Sequence, residues 1–599
     1  MRRGPPMGFF RPHGSADEVT KKLTGREWLW LFRYMDNKLL YLLFVVLGAV
    51  SFSSMYVTSL IQGQLTTVLV GTDFDTPQEY TEATNSIITI LLYATGGIFI
   101  LHLLNDFVES KVAPEFLRSL KMSVLHSILY QDLSYYDYNQ TGIILSRLED
   151  DVNSVFDAYT FKLISLVRSI ANFIFGLFIC LYYSWKVTLI IMAMLPLFTI
   201  CQNIGSTKID DYWLEYNTCS TNVTTKSEEI LTNFRTVKSF DMENTEYKEY
   251  KQTLNAVHEV IKKTSNAHGT KEFFNTIIHG LMSSVVLYTC GTMSYKKEIA
   301  PGSILNITNI IVGWSVSFSG IFSTFLDLKK ANVSASKLLD ILQLEPKIPL
   351  HEGRKIARVR GEIEFRNVKF SYPQREQNAL DDLSFKINQG ETVAIVGESG
   401  CGKSTTLLLM QRFYDAKEGE VLIDGINVKE LEPISLRSHI AIVPQSPIMF
   451  KMSIEDNIRF GKPDASYEQV VRAARIANAH SFIVEMPKGY KTKVEQNSLS
   501  GGQKQRICLA RAILVGAPIL LLDEATAALD TESERLVQEG LQNYRVGKTA
   551  IVVAHRLATV KNASRILVMD KGKIVETGTH EELLQKSGFY AHLIAHQLQ

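Results

Sequence analysis

Cysteine, net charge and clustered proline or glycine are what this chain has little of, and each shortage narrows the reading. Six cysteines in 599 residues, Cys180, Cys201, Cys219, Cys290, Cys401 and Cys508, are spread without a CxxC pair or a Cys/His cluster. That spacing argues against a disulfide frame and against a zinc site. Lysine and arginine total 63 against 62 aspartates and glutamates, leaving +1, so no global field marks a nucleic-acid binder. Charge is missing locally as well. After Arg2, Arg3, Arg11, Lys21, Lys22, Arg26, Arg33 and Lys38 no basic residue occurs until Lys111, and the same stretch carries Asp73, Asp75, Glu79 and Glu82. Two long polar connections farther on contain no Pro/Gly cluster, which points to extended helices rather than floppy loops.

What the N-terminal half has instead is six apolar runs: Leu39 to Gln62, Ser86 to Phe107, Leu163 to Tyr183, Val187 to Ile204, Phe274 to Tyr295 and Ile304 to Leu326. Each is long enough to cross a bilayer, which takes about 20 residues per helix. Only Ser184, Trp185 and Lys186 join the third and fourth, so these two form a tight antiparallel pair. The basic residues ahead of the first run place the N-terminus inside; Lys296 and Lys297, in the last outer loop, are the exception. Residues 1–24 read as a flexible cytosolic tail, their prolines and few serines disfavouring a mitochondrial presequence. Arg26 to Met35 reads as a short interfacial helix at the head of a transmembrane domain over 25–326.

Gln131-Asp132-Leu133-Ser134-Tyr135-Tyr136-Asp137 lies inside the first long connection, and Thr141-Gly142 reads as the turn between two stalk helices. Exposed aromatics at such a tip suggest docking onto another domain. His102 and Asp106, one turn apart, and His279 are the ionisable groups noted in the spans; hydrogen bonding between helices is favoured over a substrate role. Trp314, Phe318 and Phe322 share one helix face and either line a cavity for apolar compounds or pack.

Past a helix-like linker, 327–360, the pattern changes to alternating strands, and 361–599 reads as a nucleotide-binding domain. Val393-Ala394-Ile395-Val396 runs into Gly397, Glu398, Ser399, Gly400, Cys401, Gly402, Lys403, Ser404 and Thr405 ahead of a helix-compatible segment. Strand, glycine loop and helix in that order make a P-loop: backbone N–H groups curl around phosphate oxygens, Lys403 reaches the outer phosphates, and the Ser404 hydroxyl suits Mg²⁺. Val443-Pro444-Gln445 ends a short strand, setting Gln445 to meet the metal and the attacking water. Leu499, Ser500, Gly501, Gly502 and Gln503 open a helix and form a second phosphate cradle. Ile519 to Leu522 ends in Asp523, suited to Mg²⁺, and Glu524, suited to polarising a water. Ile551 to Ala554 ends in His555, placed to bond the γ-phosphate, and Tyr372 follows a strand ending near Phe370 and can stack on adenine. Three strand ends delivering Asp-Glu, Gln and His beside a P-loop form one site at the carboxyl edge of an open sheet. ATP chemistry is cytosolic, so Cys401 and Cys508 are expected as free thiols.

The order of P-loop, Gln445, Leu499-Ser500-Gly501-Gly502-Gln503, Asp523-Glu524 and His555 resembles the nucleotide-binding domain of ATP-binding cassette proteins. With six spans ahead of it, the chain from about residue 26 resembles type IV, P-glycoprotein-like B-subfamily half-transporters. The resemblance implies an all-α six-helix transmembrane domain followed by an α/β P-loop ATPase domain. It implies ATP and Mg²⁺ as cofactors, and a head-to-tail sandwich in which Ser500, Gly501 and Gly502 of one cassette cap ATP held by Lys403 of another. One copy of each motif then implies two chains, a homodimer or a pair with a related half-transporter, in a lipid bilayer. The implied function is ATP-driven export of hydrophobic or amphipathic compounds, with no nucleic acid involved. The ATPase is expected in the cytosol, at the plasma membrane or an organellar membrane. Alternatives within the same fold are a peptide or organellar metabolite transporter and a nucleotide-gated channel or regulatory subunit. Tyr135-Tyr136 and a stretch near Asn233 to Asn244 resemble the coupling helices that dock on cassettes. One departure stands out: only Glu495, Gln496, Asn497 and Ser498 separate Val494 from Leu499, two residues fewer than the family's usual Gly-Glu-x-Gly approach. Ala527, where many relatives carry serine, is a milder one.

Overall fold

A computed structural model describes residues 25–70, 76–139, 141–203, 206–375, 377–495, 498–524, 531–545, 547–553 and 560–597. Packing divides them into two compact units: one runs through Leu125 and resumes from Leu145 to Gln343, the other joins His126–Ile144 to Leu344–Gln599.

Among the described residues five helices are long and apolar enough to cross a membrane: Lys38–Val70, Pro77–Leu129, Thr141–Tyr183, Glu243–Tyr295 and Pro301–Gln343. The fourth expected run falls on the helix Trp185–Asn203, 19 residues long with Pro196 inside it. Pro77–Leu129 and Glu243–Tyr295 have 53 residues each. At 1.5 Å per residue that is about 80 Å, far more than about 30 Å of hydrocarbon, so both continue outside the membrane as the scarcity of Pro and Gly required. Ser184 alone interrupts the third and fourth runs; its extended backbone (φ −165°, ψ 115°) turns Tyr183 back into Trp185.

Helices in lipid gain little from hydrophobic burial and lean on close packing and hydrogen bonds. Both are present. A Cβ on Gly302 would sit 1.7 Å from the Gly63 carbonyl oxygen, so the two backbones meet where both residues lack side chains. Asn172 Nδ2 donates to Ser317 Oγ at 2.8 Å, and Asn306 Nδ2 to Tyr183 Oη at 2.8 Å. His102 Nδ1 lies 2.6 Å from Ser51 Oγ, the interhelical bond expected of it. Trp314 is buried against Phe173, ring centroids 5.0 Å apart, so its part of the aromatic face is packing.

Among the described residues the second unit carries twelve strands: β1 (Ile363–Phe370), β2 (Leu380–Ile387), β3 (Thr392–Gly397), β4 (Glu418–Ile423), β5 (Ile426–Asn427), β6 (Ile440–Val443), β7 (Met452–Ser453), β8 (Lys493–Val494), β9 (Ile519–Asp523), β10 (Thr549–Val553), β11 (Arg565–Asp570) and β12 (Lys573–Gly578). They make a six-stranded sheet in the order β12-β11-β3-β10-β9-β6, an antiparallel sheet β2-β1-β4-β5 and the pair β7-β8. In the large sheet β11, β3, β10, β9 and β6 are parallel, and β12 is antiparallel at the edge. Continuous apolar strands such as Ile519 to Leu522 signal burial on both faces, and alternate residues do enter two different cores. Leu520, Leu522, Ala550 and Val552 pack with the helices around Ile507 and Leu541, while Leu521, Ile551 and Val553 pack with Leu407 and the antiparallel sheet.

Thr549, fully buried at the start of β10, fastens the two sheets: its hydroxyl donates to Gly361 O at 2.7 Å and accepts from Gly390 N at 3.0 Å. Thr549→Val keeps the shape and strands both backbone groups. A loss of about 1–3 kcal/mol of cassette stability is expected, read as a lowered unfolding midpoint of the purified protein; an unchanged midpoint would mean that water replaces the hydroxyl.

Candidate functional site

The carboxyl ends of β3, β6 and β9 bring the sequence motifs together. Gly400 and Gly402, at φ +84° and +108°, take left-handed conformations that side chains resist. At Gly402 a Cβ would also lie 2.6 Å from Leu380 Cδ2 and 2.7 Å from Ala379 O. Gly402 caps the helix Lys403–Met410. Glu398, Ser399 and Gly400 are exposed, whereas Cys401, Lys403 and Thr405 are buried. The Lys403 ammonium curls back, donating to the carbonyl oxygens of Gly397 and Glu398 at 2.9 Å each. No carboxylate pairs with it among the described residues. A buried cation of this kind beside a glycine cradle fits a phosphate.

Ser404 Oγ donates to Asp523 Oδ1 at 3.2 Å, which puts two oxygens suited to a hard divalent cation side by side. Gln445 Nε2 donates to Glu524 Oε2 at 2.5 Å. Glu524 itself sits at φ +46°, an unusual setting for a non-glycine residue, and its N–H is tied to Val553 O at 3.0 Å. The two pairs form one continuous polar edge from the P-loop helix to the end of β6. His555 and Ala527 lie outside the described residues.

Tyr372, two residues beyond β1, reaches the P-loop helix through its hydroxyl, 3.0 Å from Thr405 Oγ1. Its ring meets Phe370 and Tyr414 edge-on at 5.1 and 5.5 Å. The second cradle is the start of the 15-residue helix Gly501–Val515. Ser500 Oγ accepts from Gln503 N and Gln503 Oε1 accepts from Ser500 N, a reciprocal cap. Gln503, expected among the ATP contacts, therefore spends its carbonyl oxygen on the loop's own shape. Ser500 and Gly501 remain exposed. Ahead of them Glu495 pairs with Lys451 at 2.7 Å, and Gln496 and Asn497 lie outside the described residues.

The tip of the first long connection belongs to this unit as the helix Leu133–Tyr138. Thr141-Gly142, expected as the turn, opens the returning helix Thr141–Ser146, because Asn139 ends the tip helix with its side chain on Tyr135 O. The contacts of the tip come from residues around the aromatic pair. Asp132 accepts from Lys347 N (2.8 Å) and Ile348 N (3.0 Å), Leu133 packs against the cassette core, and Asp137 accepts from Tyr414 Oη and Gln374 Nε2. Tyr414, Gln374 and the Asp132 bonds had no sequence signal, since their partners are more than 200 residues away. Arg168 does have one, as a lone arginine inside an apolar run. It lies between Gly48, the Phe44 ring and Asn105 Oδ1 (3.5 Å), its Nε unpartnered.

The profile of the ABC transporter transmembrane region matches residues 39–316, and that of the ABC transporter matches residues 380–527. An ATP-dependent lipid A-core flippase of Shewanella denitrificans is 33% identical over 535 residues, covering 88% of this chain and 89% of its own length. The mitochondrial potassium channel ATP-binding subunit of Xenopus tropicalis is 36% identical over 502 residues, 82% of this chain and 72% of that protein. ABC transporter B family member 1 of Dictyostelium discoideum is 34% identical over 518 residues, 86% of this chain but 57% of that protein. The chain spans about half the length of several such curated relatives. With nucleotide-binding and membrane halves both matched and a flippase matched along nearly its whole length, the chain belongs to the ABC transporter family, in its B branch.

Proposed function

We propose that this chain is one half of an ATP-driven exporter that works as a pair, most economically two copies of itself, moving hydrophobic or amphipathic compounds by alternating access. The observation that carries the reading is the polar edge at the strand ends, Ser404 with Asp523 and Gln445 with Glu524, beside the buried Lys403. A passive gate has no need of a complete hydrolytic set, which disfavours a channel or regulatory subunit. Domain limits of 25–326, 327–360 and 361–599, an N-terminus and ATPase in the cytosol, and a plasma or organellar membrane belong to the same proposal.

The residue roles follow from chemistry. Lys403 and the N–H groups from Gly397 through Thr405 hold the phosphates, and Tyr372 stacks on the base. Ser404, Asp523 and Gln445 hold Mg²⁺, which when bound with ATP supplies positive charge at the phosphoryl group being transferred. Glu524 takes a proton from the attacking water, and His555 donates to the γ-phosphate. Ser500, Gly501 and Gly502 of the second copy close the site, while Gln503 keeps their loop in shape. Closure of two cassettes on nucleotide supplies the differential binding energy that drives the membrane half between its two states.

Vesicles containing the purified chain are expected to hydrolyse ATP faster when a transported amphiphile is added, and to accumulate it against a gradient only with hydrolysable ATP. Accumulation without hydrolysis, or hydrolysis that no compound in a broad amphiphile screen alters, would remove the exporter reading.

A further inference from the structure

Arg168 is a charge inside an apolar run that the fold leaves without a counter-ion among the described residues. It stands five residues into the third run, Leu163 to Tyr183, about 8 Å along the helix from the end that the proposed topology sets at the cytosolic face. A cation at such a depth is costly unless an anion, a carbonyl or water meets it. One acceptor is present, Asn105 Oδ1, 3.5 Å from Arg168 Nη2 and at the far limit of a hydrogen bond. Arg168 Nε is buried with no partner.

Three helices build the surroundings. On the first, Gly48 lacks a side chain where a Cβ would lie 2.7 Å from Arg168 Nε and 2.9 Å from Nη2, so the guanidinium occupies the notch that glycine leaves. Phe44, one turn earlier, sets its ring centre 5.9 Å from Arg168 Cζ. On the second, His102 and Asn105 are three residues apart and share a face, and His102 Nδ1 lies 2.6 Å from Ser51 Oγ, three residues on from Gly48. Asp106 meets Asn105 Nδ2 at 3.5 Å and makes no ion pair with Arg168. Outside this polar spot Leu103, Leu104 and Phe107 are exposed and apolar. Arg168 as a whole is half-buried, so with Nε shut against Gly48 its terminal nitrogens are the part open to a ligand.

We infer that Arg168 is a specificity-determining residue of the membrane half, binding the anionic group (carboxylate, sulfate or phosphate) of an amphiphile whose tail stays among apolar side chains. The inference rests on the exporter reading and narrows its cargo. A planar guanidinium meets an oxyanion through paired N–H···O bonds, and here those donors have almost no other acceptor. A free inorganic anion must shed its water to reach this depth, whereas a tailed one gains apolar burial in return. A neutral amphiphile gains nothing from the charge, and a cationic one is repelled.

The test places the full chain in phosphatidylcholine nanodiscs. Equilibrium binding of radiolabelled dodecyl phosphate and of its neutral dimethyl ester is measured without nucleotide, for wild type, Arg168→Gln and Arg168→Lys. Wild type is expected to prefer the anion by about tenfold. That preference should vanish in Arg168→Gln and persist, reduced, in Arg168→Lys, which keeps the charge and loses the fork. Each preference is a ratio within one protein, so a loss of folded material does not imitate the result. An Arg168→Gln chain with the wild-type preference overturns the site. Vesicles with ATP then read the source of the anion. A cargo site accumulates dodecyl phosphate in wild type and about tenfold more slowly in Arg168→Gln. If phosphatidic acid built into the bilayer raises the ATPase rate through Arg168 while other amphiphiles, but not dodecyl phosphate, accumulate, the site holds a lipid headgroup and the cargo assignment falls. Vesicles that move no compound while nanodisc binding still depends on Arg168 overturn the exporter reading and leave the anion site standing.

Discussion

Glu524→Gln lowers ATP turnover by about a thousandfold while leaving ATP affinity within a few-fold of wild type, the expected result if this carboxylate accepts the proton of the attacking water. The substitution is nearly isosteric. Glu524 Oε2 accepts from Gln445 Nε2, and a glutamine at 524 still offers a carbonyl oxygen to that donor. Its main-chain anchor to Val553 O is untouched, so the unusual φ of +46° is held as before. What disappears is one negative charge and the basicity that goes with it. Losing that charge near the phosphates removes a repulsion, so binding holds or tightens. Gln445→Ala, by contrast, should slow turnover far less, since it removes an orienting amide and leaves the base. Phosphate release and equilibrium binding of a fluorescent ATP analogue separate the two effects. Turnover of Glu524→Gln within tenfold of wild type would hand the proton to another group.

Most of the site was readable because its parts are local in sequence: a strand, a glycine loop and the first turn of a helix fix Gly397 to Thr405 within nine residues. Strand ends were equally legible, since unbroken apolar runs such as Ile519 to Leu522 point to a parallel sheet, and ligands collect at its carboxyl edge. That β10 sits between β3 and β9, carrying the end of Val553 toward Glu524, was not readable, because strand order is a long-range property. The tip of the first stalk shows the same limit. Tyr135 and Tyr136 drew attention as aromatics, yet the bonds are made by Asp132 and Asp137, whose partners Lys347, Ile348, Gln374 and Tyr414 no spacing rule connects to them. The sequence leaves Trp314 open between cavity and packing, since a helix face lined with aromatics looks alike whether it borders a cavity or a neighbour, and the side chain packs. Gln503 illustrates a third kind of gap: the motif gives its place but not that its side chain is engaged in capping its own helix.

Two dead variants should restore each other if a working site is built from two chains. Lys403→Ala removes the buried cation from the P-loop and leaves Ser500 and Gly501 intact. Gly501→Asp leaves the P-loop intact and sets a carboxylate where the second cradle faces phosphate. A negative charge at the start of the helix Gly501–Val515 suits the helix dipole, so the fold itself should not suffer. The repulsion falls on the γ-phosphate, and each variant alone is expected to lose ATPase activity by about a hundredfold or more. Mixed before assembly, half the pairs contain one chain of each kind. In such a pair one site joins an intact P-loop to an intact Ser500-Gly501-Gly502, and the other joins the two damaged parts. One competent site in half the pairs gives about a quarter of wild-type activity if sites work independently, and less if they must alternate. Were each cassette to hydrolyse ATP alone, mixing would add two inactive populations and recover nothing. The amount recovered therefore reads both the trans architecture and the dependence of one site on the other.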